Sequence, residues 1–159
     1  MDAVVVDVEH EERYWYPTDG GQVWLAGFQP VDPATGSFLA RDSELLSARR
    51  VLIANVAGAA EHHPAALASD AVAPGAPLTL RRDAGNAYDA NAVAVDLPSG
   101  EQLGYVPRAV AAQLAPDLDA GRAWSALVLR ERRPSPRDPR TGVTMLLAPG
   151  PALTLRVLR

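Results

Sequence analysis

Lysine and cysteine are both absent from this sequence of 159 residues. All 15 basic residues are arginine, which together with abundant Ala, Pro and Gly indicates the codon bias of a GC-rich bacterial genome. The lack of cysteine excludes a disulfide framework, a thiol nucleophile and zinc sites that need thiolates. No apolar run reaches the roughly 18 residues of a membrane helix, and no basic segment followed by an apolar one opens the chain. We therefore expect a cytoplasmic protein with no membrane partner.

Charge is distributed unevenly along the chain. The formal net charge is -4, yet residues 1–80 carry four arginines against eleven acidic residues, and residues 81–159 carry eleven against eight. A protein that binds long duplexes through counterion release is usually basic overall. Because only the second half is basic, and only mildly so, any contact with nucleic acid should be local.

Short strand-like runs and turn residues alternate along most of the sequence. This pattern predicts a mainly β protein, a small and partly open β-barrel with one or two short helices. The expected strands lie around Val4–Val6, 14–16, 23–28, 50–58, 78–82, 92–96, 101–107, 123–132 and 143–159, with a turn at 17–21. Residues 132–142, with three prolines and four arginines, are expected to form an exposed loop.

Three segments have helical character. Residues 41–50 predict a short helix capped by Asp42 or Ser43, and a single helical turn is expected to start at Pro64. In residues 108–122 apolar side chains recur at helical spacing, although Pro116 should bend this helix or end it early. Asp117 and Asp119 are expected to pair with Arg122 on a solvated face.

Residues 78–95, LTLRRDAGNAYDANAVAV, concentrate polar side chains between two expected strands. The nine-residue connection is long for a hairpin, and long loops on rigid scaffolds are often functional. One interpretation is structural, because glycine, asparagine and aspartate form turns and a tyrosine ring can pack on a barrel. The other is a binding site, in which the side chains contact a nucleotide: Tyr88 stacks on a base, Asp89 accepts from a sugar hydroxyl, Asn86 meets a base edge, and Arg81 or Arg82 binds phosphate. The residue types alone leave both open.

Signatures of catalysis and metal binding are weak. The sequence has no phosphate-binding GxxxxGK[ST] motif and no Ser-His-Asp or paired-carboxylate arrangement with catalytic spacing. Adjacent His62 and His63 would point apart as ligands, and the chain has only one further histidine. We therefore expect no cofactor, no metal and no enzymatic activity, with a nuclease or other hydrolase as a third hypothesis.

LRRDAGNAYDANAVAV followed by GEQLGYVPRAVAAQLAPDLDAG resembles the HIRAN domain family, and VAGAAEHHPAAL (56–67) fits the family's opening Val-x-Gly element. The resemblance covers about residues 50–130. It implies a modified β-barrel of the OB or SH3-like kind over residues 50–159. Residues 1–49 would then be a strand-rich extension or small lobe of a stand-alone bacterial member.

The resemblance also implies a function. HIRAN domains attached to eukaryotic fork-remodelling ATPases bind the 3′ end of single-stranded DNA. Carried over by motif, Tyr88 would stack on the terminal base, Asp89 would meet the 3′-hydroxyl and Asn86 the end nucleotide. Tyr105 and Arg108 would lie beside phosphates. His62 and His63 stand where DNA-binding members have a basic–aromatic pair, Gly85 replaces a second amide, and no aromatic lies near Leu153.

The sequence thus predicts a binding module for single-stranded DNA, accessory to repair or replication-fork processing, with a repair helicase or nuclease as a further partner. The alternative is a protein-interaction adaptor that keeps the fold without DNA binding. DNA binding requires Arg81 or Arg82, with Arg108, on the Tyr88 side of the barrel, whereas an adaptor would show an apolar patch there. The oligomeric state is not indicated.

Overall fold

The structure, a computed structural model, describes residues 3–15 and 23–158. Within these ranges the chain is mainly β, as the turn-rich sequence predicts, with nine strands and with four short α-helices where one or two were expected. The expected turn at 17–21 lies outside the described residues. The strands are β1 (Val4–Trp15), β2 (Val23–Pro30), β3 (Leu52–Asn55), β4 (Pro77–Arg82), β5 (Val93–Asp96), β6 (Gln102–Tyr105), β7 (Trp124–Arg133), β8 (Gly142–Pro149) and β9 (Leu155–Val157). The helices are α1 (Glu44–Ser47), α2 (Ala59–His62), α3 (Pro64–Ala68) and α4 (Arg108–Asp119), with a 3-10 turn at Asp70–Val72.

Six antiparallel strands form the partly open barrel, in the order β3-β8-β7-β4-β5-β6. In the described part of the chain, the two edge strands of this sheet meet only through an isolated bridge between Ala57, just after β3, and Tyr105 of β6, so the barrel stays partly open. A glycine is needed at this junction, because a Cβ at Gly104 would overlap the carbonyl oxygen of Ala57. The Gly-Tyr-Val-Pro sequence therefore begins at the point where the barrel comes together.

Apolar alternation along β4 and β5 fills the barrel interior. Leu78, Val93 and Val95 are buried in its core and Leu80 packs at the core's edge, which confirms that the two segments are neighbouring strands sharing a core face. Helix α4 contributes Leu114 to the same core. The connection 83–91 therefore starts and ends on strands fixed by the core.

The N-terminal strands extend the sheet from β7. Residues Trp24–Gly27 of β2 pair with Arg130–Arg133, next to the place where β4 pairs with Ala126 and Leu127. A side chain at Gly27 would overlap the backbone of β7, so this glycine permits the close approach. A second core forms on the outer face of β7 and β8, and β9 pairs in parallel with β1. The division into segments 1–49 and 50–159 stays a prediction.

Helix α1 lies within the predicted segment 41–50, and the Ser43 hydroxyl caps it by accepting from the Leu45 N–H at 3.3 Å. Helix α3 begins at Pro64 as expected, and α2 precedes it. The prediction that Pro116 ends α4 early is wrong. Proline removes its own N–H and crowds the carbonyl four residues earlier, but the helix continues to Asp119, and the Ala120 N–H still reaches the Pro116 carbonyl at 3.1 Å.

The connection between β7 and β8 is exposed at most of its residues, as expected, but it is shorter than 132–142. Strand β7 continues to Arg133, β8 begins at Gly142, and the side chain of Arg140 is only 7% exposed. The longest described helix, α4, has twelve residues, and no helix in the described ranges has the length and apolarity to cross a bilayer.

Candidate nucleic-acid interface

The connection between β4 and β5, residues 83–91 (the β4–β5 loop), is held by its own amide and carboxylate groups. Asn86 Oδ1 accepts hydrogen bonds from the backbone N–H groups of Tyr88 at 2.8 Å and Asp89 at 3.0 Å. Asp89 Oδ1 accepts from the Asn91 N–H at 2.9 Å. Side chains that accept from N–H groups two or three residues ahead replace the backbone hydrogen bonds of a regular turn. These residues therefore fix the conformation of the loop.

A three-residue cluster ties the loop to β6. The hydroxyl of Tyr105 donates to Asp83 Oδ2 at 2.9 Å, and Asn86 Nδ2 donates to the same oxygen at 3.2 Å. The hydrogen bonds from Asn86 and Tyr105, helped by the charges of Arg81 and Arg82, lower the pKa of Asp83 below its ordinary value. Asp83 thus stays ionised, and the predicted site residues Asn86 and Tyr105 meet at one carboxylate.

The two arginines of β4 already have carboxylate partners. Arg81 donates to both oxygens of Asp96, at 2.8 and 3.3 Å, and hydrogen bonding to Asp96 raises the pKa of Arg81. Arg82 donates to Asp119 at 3.0 and 3.3 Å and to the carbonyl oxygens of Ala90 and Ala92 at 2.7 and 3.1 Å. Arg82 therefore clamps the end of the loop to the end of α4, a contact that no local sequence pattern indicates.

Tyr88 differs from its neighbours because its side chain points into solvent. The residue is 90% exposed, although its backbone N–H is held by Asn86. The structural interpretation, in which the ring packs on the barrel, is therefore wrong for Tyr88. The loop presents one uncovered aromatic ring on a backbone fixed by side-chain hydrogen bonds.

Arg108 is the exposed cation at the start of α4. The N–H of Val106 donates to the carbonyl of Val93 at 2.9 Å, so the segment before α4 runs beside the end of the β4–β5 loop. Arg108 follows two residues later, and its guanidinium forms no ion pair or hydrogen bond with any described residue. Unlike Arg81 and Arg82, it is available to an external anion.

His62 and His63 lie at the junction of α2 and α3, which both contact β6. His62 is exposed and His63 is half-buried, and their rings meet edge-to-face with centroids 6.5 Å apart. Within the described ranges, no group of three or more His, Cys, Asp or Glu side chains is placed to hold a metal ion. The two histidines thus lie between helices that contact β6, the strand that carries Tyr105.

Asp117 does not belong to a solvated face, contrary to expectation. It is buried and accepts from Trp124 Nε1 at 2.8 Å, from Arg122 at 2.8 and 3.0 Å, and from Arg50 at 2.9 Å. The hydrogen bond from Trp124, together with those from Arg122 and Arg50, lowers the pKa of Asp117 to about 2. The predicted pairing with Arg122 is correct, but the network is structural and the partner of Asp119 is Arg82.

Comparison with known proteins gives one family match. The model of the HIRAN domain matches residues 52–145. Among solved structures, the crystal structure of the HIRAN domain of human HLTF is 22% identical over 62% of this chain and 75% of that chain, with a TM-score of 0.44. A protein from Lactobacillus plantarum is 22% identical over 60% of this chain and 91% of that chain, with a TM-score of 0.45. No curated protein matches the sequence.

Proposed function

Because the chain belongs to the HIRAN domain family, whose members are binding domains rather than catalysts and generally bind DNA, we propose that it recognises the 3′ end of single-stranded DNA. The observation that carries this proposal is the exposure of Tyr88 on a loop whose backbone is held by the side chains of Asn86 and Asp89. A fixed, uncovered aromatic ring is a stacking platform for a base.

Each group around Tyr88 has a role in this proposal. Tyr88 stacks on the terminal base, and Asp89, whose Oδ1 holds the Asn91 N–H, accepts the 3′-hydroxyl through its second oxygen. Arg108 binds a backbone phosphate as a guanidinium fork. Tyr105, His62 and His63 line the flank, while Asn86 and Arg82 hold the loop in place. Arg81 pairs with Asp96 of β5, so neither β4 arginine has the free guanidinium that the sequence-based expectation of phosphate binding needs.

The charges at the site favour an end over the middle of a strand. A carboxylate accepts a hydrogen bond from a hydroxyl and repels a phosphate, so Asp89 would reject a strand that continues or ends in phosphate. With Arg108 as the unpartnered cation beside the loop, binding to phosphate is local, in keeping with the net charge of -4. The chain encodes no ATPase motif, so a role in repair or fork processing would be that of an accessory to a helicase or nuclease.

The adaptor alternative is supported by a different region. Apart from Tyr88, the large apolar side chains that the described structure leaves exposed are Val8, Phe38 and Leu45, all within residues 1–49. The β4–β5 loop thus lacks the apolar patch that an adaptor surface at this site requires. If the chain also binds a protein, that contact belongs to the N-terminal segment.

Substitution of Tyr88 tests the proposal. Tyr88→Ala should weaken binding of a short single strand by about 1–3 kcal/mol, since it deletes the stacking ring. Tyr88→Phe should keep most of the affinity, because the ring remains. The melting temperatures of both variants should equal that of the wild type, since the side chain is exposed. Fluorescence anisotropy and thermal melting measure the two quantities, and undiminished binding by the alanine variant would remove Tyr88 from the site.

A further inference from the structure

A second group of arginines lies at the end of β7 and in the connection from β7 to β8, away from the β4–β5 loop in sequence. Residues 132–140, which we call the arginine arm, contain Arg132, Arg133, Arg137 and Arg140 against the single acidic residue Asp138. Arg133 and Arg140 form hydrogen bonds with other residues of the chain, whereas the guanidiniums of Arg132 and Arg137 form none with a described residue. This division separates cations that build the arm from cations that face solvent.

The arm is held in place through the buried Glu131. Arg133 donates to one oxygen of Glu131 at 2.7 Å, and Arg140, itself 7% exposed, donates to the other at 2.9 Å. Arg133 also donates to the carbonyl of Asp138 at 2.9 Å, and the Ser135 hydroxyl donates to the Asp138 carboxylate at 2.8 Å. The segment thus has defined internal contacts although it contains three prolines.

A β-bulge decides which side chains face inward. The pairing of β7 with β8 shifts register between Val128 and Arg130, so Glu131 lies opposite Val143, a residue of the barrel core. Arg132 lies opposite Gly142 on the other face, where its guanidinium crosses the glycine; a Cβ at Gly142 would be 2.5 Å from Arg132 Nη2. The bulge therefore directs Glu131 to the core side and Arg132 to the outside.

The arm is attached to the element that carries the histidine pair. Arg140 Nη1 donates to the carbonyl oxygens of Leu67 and Ser69, at 3.3 and 2.9 Å. Leu67 is four residues, or about 6 Å along a helix axis, beyond His63. Since α3 also contacts β6, the strand that carries Tyr105, the arm and β6 both lie against this short helix.

The guanidiniums of Arg132 and Arg137 are exposed and form no ion pair or hydrogen bond with any residue in the described ranges. Five residues of chain span at most about 17 Å, so both can reach the same bound strand. We propose that Arg132 and Arg137 form a second binding site for backbone phosphates, occupied by the continuation of the strand whose 3′ end binds at Tyr88. This inference rests on the proposed function. It adds a second phosphate-binding site, which we call the track, on the 5′ side of the bound 3′ end.

Two free guanidiniums on an ordered support fit a phosphate backbone because each can fork onto one phosphate without reorganising the protein. An acidic peptide would also be attracted to the arm. We favour a DNA strand because a strand whose 3′ end binds at the proposed site must continue away from that site. The track makes binding depend on strand length, which the end site alone does not.

The test measures how the wild type and the double variant R132Q/R137Q bind single strands of 4 and 16 nucleotides. Binding is followed by anisotropy at several salt concentrations. The 16-nucleotide strand should bind the variant on the order of tenfold more weakly at low salt, with the log–log salt slope reduced by about 1.4, or 0.7 per phosphate contact. Binding of the 4-nucleotide strand should be unchanged. R156Q, which removes an exposed arginine on β9, is the matched control and should behave like the wild type.

A covalently closed circular strand separates this inference from the end-binding proposal. Wild type should bind the circle weakly, and R132Q/R137Q should abolish that binding. If the double variant weakens circle and long-strand binding while wild type ignores the 3′ end, the track stands and the end site fails. Equal slopes for wild type and double variant, equal loss of the 4-nucleotide strand, or binding of an acidic peptide but of no strand would each overturn the track.

Discussion

Some residues of the β4–β5 loop hold its conformation, and one residue, Tyr88, leaves its ring in solvent. Asn86 satisfies two backbone N–H groups and donates to Asp83, while Asp89 accepts from Asn91, so turn chemistry accounts for the amides and carboxylates. It does not account for Tyr88, whose ring is left in solvent. The hydrogen bonds of this turn do not require an exposed aromatic ring at this position, and the proposed stacking on a base would give the ring a role.

The charge of Asp117 is linked to the stability of the fold. The folded-state pKa, about 2, is below the unfolded value of about 3.9. The ionised form therefore stabilises the fold above about pH 4, and this contribution is lost as the pH falls towards 2.

Asp117→Asn should lower the urea midpoint at pH 7, since the amide loses the charge that Arg50 and Arg122 face. The gap between wild type and variant should close between about pH 4 and pH 2. Urea unfolding across this pH range measures the effect, with Glu101→Gln, at an exposed carboxylate, as the control. A gap that persists unchanged at pH 2 would show that the charge of Asp117 does not matter.

At the scale of elements, local patterns predict the strands around the loop well. Alternation at Leu78 and Leu80 and at Val93 and Val95 gives β4 and β5 and their shared core face. Local patterns fail where the outcome depends on distant partners. Pro116 does not end α4, whose C-terminal residues Asp117 and Asp119 are held by Trp124 and Arg82, and nothing near Glu131 in the sequence indicates burial against Arg140.

The contact between Gly104 of β6 and Ala57, just after β3, can be tested by substitution. Gly104→Ala places a methyl group against the Ala57 carbonyl and the Val56 side chain, so it should separate β6 from the end of β3 and cost about 1–3 kcal/mol. Gly85→Ala, in the β4–β5 loop, meets no atom within 4 Å and should leave stability unchanged or slightly higher. Thermal melting compares the two, and equal effects of both substitutions would contradict this account of the contact.

At the scale of the whole molecule, β7 connects the two segments of the chain. One of its edges pairs first with β4 of the barrel and then with β2 of the N-terminal segment, while β8 pairs along the other edge. The sequence indicates each strand but not this sharing, because pairing partners far apart in the chain leave no local signal. The same limit applies to the site: motif resemblance predicts Tyr88 and Arg108, whereas the engagement of Arg81 and Arg82 by Asp96 and Asp119 is visible only in the fold.

The molecule as a whole is acidic, and its described unpartnered arginines fall into few places: Arg108 beside the loop, Arg132 and Arg137 on the arm, and Arg156 on β9. This distribution is consistent with a ligand that is anionic along its length but contacted at few points. It is not the distribution expected of a protein that coats a duplex.

The most direct test of end recognition compares two otherwise identical single strands, one with a free 3′-hydroxyl and one with a 3′-phosphate. Wild type should bind the free end about tenfold more tightly, because Asp89 accepts the hydroxyl and repels the phosphate. Asp89→Asn should abolish the difference while the amide oxygen still accepts from the Asn91 N–H, so the loop is kept. Equal affinity of wild type for the two strands would contradict end recognition and leave the protein-interaction adaptor as the better account of the domain.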